Sequence, residues 1–199
     1  MSIRTAISGR LALAAAAAAA VAAVAMPSAA FADGSGNPGD GSGGIPPYNR
    51  CLTLNRIANP GFESGPGSWT ATAGVITQSA GQTPRSGTWM AWLDGYGTTH
   101  TDSVAQTVTI LDGCTATLSF WLHIDTAETT NAPAFDTLAV KVNGTTVGTF
   151  SNLNHNNGYV QKVFVLNGVT GTATISFVGT EDVSLQTSFV IDDVAVTLA

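Results

Sequence analysis

The sequence is short of charge. Only 10% of its 199 residues are Asp, Glu, Lys or Arg, and just 7 of these are basic against 13 acidic. A chain so poor in Lys and Arg has no basic face for a nucleic-acid backbone or an anionic lipid surface, so neither partner is expected. The nucleophile elbow G-x-S-x-G and the zinc-protease signature H-E-x-x-H are both missing, and there are only 3 histidines. Serine-hydrolase and metalloprotease chemistry therefore lack their usual residues, and no enzyme is expected. The one apolar run near the start, 11–25, is too short for the roughly 20 residues that a membrane helix needs, and no later stretch approaches that length, so no membrane anchor is expected either. Nor does any segment after that run sustain a helical 3.6-residue apolar period.

That apolar run is an export signal in form. Arg4 and Arg10 form a basic lead, an alanine-dominated segment follows, and Ala30-Phe31-Ala32 offers small residues at both positions of an A-x-A cleavage site. The expected organisation is a signal peptide over 1–32, a flexible Gly/Ser/Pro-rich leader over 33–47 (DGSGNPGDGSGGIPP) and one domain over 48–199. Loss of the two signal arginines leaves five basic residues and moves the net charge from −6 to −8. The expected location is extracellular, and the expected state is a monomer.

Cys51 and Cys114 are the 2 cysteines. In an exported chain an even pair reads as a disulfide, and this one closes a loop of 63 positions.

From Tyr48 onward, short runs rich in Val, Thr, Phe and Trp alternate with Gly, Asn, Asp and Pro. Strands are predicted over 51–57, 69–78, 88–93, 103–110, 115–125, 136–142, 145–150, 159–166, 172–178 and 188–198. Asn143-Gly144 between two of them is the signature of a type I′ hairpin. Ten short strands without helices predict an all-β antiparallel sandwich, of jelly-roll type.

Three motifs in order carry a resemblance: NPGFESGPGSW at 59–69, SGTWMAWL at 86–93 and FVIDDV at 189–194. Together they resemble a carbohydrate-binding-module type of β-jelly roll, a galactose-binding-like sandwich, over about residues 51–199. The combination of WLDGYGTTHTDS, LHIDTAET and TEDVSLQTSFVIDD is similar to the C-terminal accessory domain of secreted bacterial peptidases. Both resemblances imply a non-catalytic module. Many jelly rolls of the first kind hold a structural calcium, and the resemblance places its carboxylates at Glu63 and Asp192, with backbone carbonyls near Ser86 and Gly87. Parity along the last strand puts Asp192 on one face with Val190, Val194 and Val196, and Asp193 on the other. The alternative is that Glu63 and Asp192 accept backbone N–H groups at strand ends.

In 115–125 the alternation assigns Leu118, Phe120, Leu122 and Ile124 to the core and Trp121, His123 and Asp125 to the opposite face. Met90, Trp92 and Asp94 alternate likewise. Trp92, Asp94, Trp121, His123 and Asp125 thus form a candidate ligand surface, in which indole rings meet sugar C–H faces beside polar groups. The alternative is that the tryptophans lie under a neighbouring loop. The pairs His100/Asp102 and His123/Asp125 share an H-x-D spacing that zinc chemistry could use, but His100 is predicted in a loop ahead of its strand. The expected partner is an extracellular polysaccharide, with a secreted protein such as a peptidase as the alternative and a small metal-dependent hydrolase as the third reading.

Overall fold

The alternation read in 115–125 is realised in one long strand of the computed structural model, which describes residues 51–129 and 131–199. The signal and leader readings fall outside these residues. Strands β1 (Thr70–Ala71), β2 (Ile76–Thr77), β3 (Met90–Asp94), β4 (His100–Ile110) and β5 (Ala116–Thr126) are followed by β6 (Thr137–Val142), β7 (Thr145–Ser151), β8 (Val160–Leu166), β9 (Gly171–Glu181) and β10 (Thr187–Leu198). They form two five-stranded antiparallel sheets, ordered β1-β4-β9-β6-β7 and β2-β3-β10-β5-β8, the jelly-roll sandwich expected.

The core lies between the sheets. Leu118, Phe120, Leu122 and Ile124 of β5 are buried and face Ile175 and Phe177 of β9 in one apolar cluster. Phe120 is its centre, edge-on to Phe177 with ring centroids 4.8 Å apart and stacked on Phe164 at 6.1 Å. Thr107, Thr109, Thr172 and Thr174 carry the other parity outward, so alternation sorts β4 and β9 as it sorts β5. At the β6–β7 turn Asn143 and Gly144 take φ of 50° and 80°, the left-handed pair that a type I′ turn requires.

Residues 51–57 form no strand. The segment lies along β10, where the Arg56 N–H donates to the Val196 carbonyl (2.8 Å) and Asn55 bonds both Val194 O and Val196 N. The Cys51–Cys114 disulfide ties it to the turn before β5, with Cα atoms 5.6 Å apart. The strand expected over 69–78 is broken into β1 and β2, which belong to different sheets.

The parity expected along β10 is also corrected. The register against β5 slips by one residue between Asp192 and Ala195, a β-bulge with Asp193 at φ 48°. Val190 therefore faces outward beside Met90 and Trp92, whereas Val194 and Val196 sit in the main core.

Candidate functional site

The site lies on the outer face of the β2-β3-β10-β5-β8 sheet. Cross-strand register sets Trp92, Val190 and His123 in one row and places Asp192 beside Trp121 in the next. The chain between β2 and β3, residues 79–88, crosses this face as a strap. Attachments along its whole length hold it. Gln82 Nε2 donates to Asp125 Oδ2 (3.0 Å), and the Tyr159 hydroxyl donates to the Thr83 carbonyl (2.8 Å). The N–H groups of Arg85 and Ser86 both donate to Asp192 Oδ2 (2.9 and 3.0 Å). The Arg85 guanidinium lies 3.9 Å above the Trp121 ring and pairs with Asp193.

The strap settles where each expected surface residue stands. Trp92 is only 3% exposed and packs with Met90, Val190 and Tyr159. Gly81 lies over it: a Cβ there would come within 2.8 Å of the Trp92 ring, so glycine is what lets the strap seat. Asp94 is not on this face at all. Its φ of 59° breaks the alternation, and its carboxylate lies against Gly179 of the opposite sheet. Trp121, His123 and Asp125 do lie together on the face, with the indole half-buried and Asp125 exposed.

An open cleft of about 330 Å³ remains beside the strap, lined by Gln82, Thr83, Pro84, Arg85, His123 and Tyr159 among others. Two acceptors, Asn156 Oδ1 and Gly158 O, each lie 3.1 Å from His123 Nδ1. The Gly158 carbonyl can only accept, so Nδ1 carries a hydrogen toward it. Burial and the nearby Asp192 charge push the Tyr159 phenol up, so it stays a donor. Burial likewise raises the Asp192 carboxyl to about 6, against the pull of the N–H groups it accepts. Gln82, Arg85 and Tyr159 escaped the sequence reading because they reach the face from a loop and from the start of β8. The one signal for them was the turn-rich stretch GQTPRSG at 81–87, long enough to cross a sheet.

The polar groups of this face are paired with one another. His123 is held by Asn156 and Gly158, Asp125 by Gln82, and Asp193 by Arg85. The two H-x-D pairs do not combine: His100 and Asp102 belong to β4 in one sheet, His123 and Asp125 to β5 in the other. His100 is itself in the strand, paired with Glu181, and not in a preceding loop.

Glu63 and Asp192 form a clasp on the same chain segment. The Glu63 carboxylate accepts the N–H groups of Thr88 (3.0 Å) and Trp89 (2.9 Å), and these bonds, Trp89's first, hold its pKa down. Gly87 is required beneath it, since a Cβ would lie 2.3 Å from the carboxylate. All the partners named for both acids are N–H or O–H donors. The calcium that the resemblance implies would need further oxygens beside these two carboxylates, and among the described residues no group of three His, Cys, Asp or Glu side chains gathers to hold a metal.

No protein-family model matches the chain, and no curated protein does. Solved structures do. A family 61 carbohydrate-binding module in complex with β-1,4-galactotriose is 17% identical, with 73% of this chain and 99% of that one covered and a TM-score of 0.45. A second module, of family 16, is 22% identical over 72% of this chain and 99% of its own, with a TM-score of 0.46. A cyclase from Fischerella sp. TAU is 13% identical over 72% and 95%, with a TM-score of 0.45. These are likenesses of fold, and a fold shared by binding modules and a cyclase does not choose between them.

Proposed function

We propose that this protein is a secreted, non-catalytic binding module whose ligand is an extracellular glycan, held at the cleft beside the strap. The observation that carries the reading is the composition of that cleft. The Tyr159 ring supplies flat apolar surface in the lining, with the Trp121 ring beside it beneath Arg85, and Arg85, Gln82 and the His123 imidazole supply hydrogen-bonding groups around an opening of about 330 Å³. Sugar rings pair with such a surface through their C–H faces and hydroxyls. The chain acts as a monomer outside the cell, where its disulfide persists.

Calorimetry and pull-down against a panel of soluble and insoluble polysaccharides test this, with Trp121→Ala and Tyr159→Ala beside the unaltered chain. Binding that weakens at least tenfold in both variants supports the proposal. No binding to any glycan, or binding indifferent to both changes, overturns it. Co-purification of a secreted peptidase that survives washing with free glycan would instead favour a protein partner.

A further inference from the structure

The end of the sandwich where β3 turns into β4 gathers four buried acids: Asp94, Asp102 and Asp136 at 0% exposure and Glu181 at 1%. Three of them have donors. Glu181 accepts the N–H groups of Tyr96 (2.9 Å), Gly97 (2.8 Å) and Thr187 (3.3 Å). Asp136 accepts the Asp182 N–H (2.9 Å) and the Thr187 hydroxyl. Asp102 lies 3.1 Å from His100 Nε2 and accepts the Asp94 N–H at 3.0 Å. The fourth differs: neither carboxylate oxygen of Asp94 has a hydrogen-bond partner among the described residues.

Asp94 is aimed into this cluster by its backbone. Its left-handed φ turns the carboxylate inward onto Gly179, which is paired with Asp102 on one side and Leu138 on the other. A Cβ on Gly179 would stand 2.2 Å from Oδ2, so the glycine makes the seat. Burying a carboxylate with no cationic partner and no well-aligned donor is among the costliest arrangements a fold can hold. The Asp102 N–H offsets little of the burial and of the three neighbouring charges, and a proton would satisfy one oxygen alone. A cation answers both oxygens at once.

We propose that Asp94 anchors a binding site for a hard divalent cation of the calcium class, enclosed by the charges of Asp102, Asp136 and Glu181. The donor chemistry chooses the class. The surroundings are oxygen-rich, no cysteine thiol is free, and the one imidazole is engaged with Asp102. Among the described residues no three His, Cys, Asp or Glu side chains already surround one point. Asp94 therefore shares the ion with at most one other carboxylate, and backbone carbonyls and water complete the shell. Such sparse sites in extracellular modules bind calcium at about 0.1–1 mM. The ion pins the β3–β4 turn to β9. This site is independent of the glycan reading, and it differs in polarity from the Glu63–Asp192 clasp, whose oxygens face donors.

The test is thermal melting and calorimetric titration of the whole chain, stripped with chelator and then given calcium chloride up to about 10 mM. The chain is expected to bind one ion and to melt several degrees higher, Glu63→Gln to keep the rise and Asp94→Asn to lose it. No heat and no rise in the unaltered chain overturns the proposal, and leaves a buried water or a proton as the partner of Asp94. A rise that survives Asp94→Asn, or is lost in Glu63→Gln alone, overturns it equally. Should Asp94→Asn fail to fold, terbium luminescence decides. Trp92 Nε1 lies 3.0 Å from where a Gly95 Cβ would sit, so the indole adjoins the Asp94–Gly95 turn. Sensitised emission should be displaced by calcium and fall several-fold in Trp92→Phe. Emission unchanged in Trp92→Phe refutes the site.

Discussion

Replacing Cys51 and Cys114 together by serine isolates what the disulfide contributes. The bridge closes a loop of 63 positions, and loop-closure entropy puts its effect at about 4 kcal/mol. The native contacts of the tied segment do not depend on it. Arg56 N–H still reaches Val196 O, the Asn55 side chain still bridges Val194 and Val196, and the Ala58 N–H still donates to Gln106 Oε1 at 2.7 Å. The loss should therefore arise in the unfolded chain, which regains the freedom the bridge withheld. For a domain of this size about 4 kcal/mol corresponds to a fall of roughly 8–16 °C in the melting midpoint. Calorimetry on the serine pair and the bridged chain measures it, and urea titration should give a larger m-value because the unbridged unfolded chain expands. The cleft lies away from the bridge, so ligand affinity should not change. A midpoint within about 2 °C of the bridged protein would refute the reasoning. So would two separate transitions, because the segment would then be docked independently of the sandwich.

Tyr159→Phe removes the hydroxyl that holds Thr83 and should cost about 1 kcal/mol, with faster amide exchange at Arg85 and Ser86 as the strap loosens; unchanged exchange would show that the strap rests on its other attachments. Phe120→Ala opens the centre of the aromatic core and should cost about 3–5 kcal/mol by urea titration, and a loss below about 1 kcal/mol would contradict that placement. Stability in chelator should depend on pH through Asp94, whose carboxyl burial pushes up to about 8, helped by the charges of Asp102, Glu181 and Asp136. A raised folded pKa means that the folded chain holds the proton more tightly, so this stabilisation is full below the unfolded value near 3.8 and is lost as pH rises through about 8. The midpoint should accordingly fall on going from pH 5 to pH 8.5 (about the span of that titration), and Asp94→Asn should flatten the fall; a rise, or an equal fall in the variant, would contradict the assignment.

The stretch LHIDT of β5 shows how far sequence reached. Leu122 and Ile124 enter the core and His123 and Asp125 the outer face, as a two-residue period dictates. The same rule fails at Asp94 and at Asp193, where left-handed φ angles reset the alternation. Both are aspartates, a type that tolerates this region, and Asp94-Gly95 is itself a turn dipeptide, but residue type does not fix the position at which the alternation resets. Without those two angles, Asp94 was assigned to the ligand face and Val194 to the face of Val190. The readings of the tryptophans divided for another reason. Trp121 and Trp92 have the same parity, but the strap lies with Gly81 directly on Trp92 and leaves the Trp121 ring to Arg85.

What the sequence by itself determined is the local and the periodic: the eight strands β3 to β10, the sorting of β5 into core and surface, the Asn143-Gly144 turn and the pairing of the cysteines. Each follows from chemistry within a few residues or, for the disulfide, from the presence of just two cysteines in the chain. Tertiary structure alone decided which sheet each short strand joined, which face the 79–88 strap covered and which carboxylates found donors. Those outcomes depend on segments distant in the chain arriving at one place. Glu63 and Asp192 met the N–H groups of 85–89, whereas Asp94, turned inward by a single backbone angle, met none among the described residues.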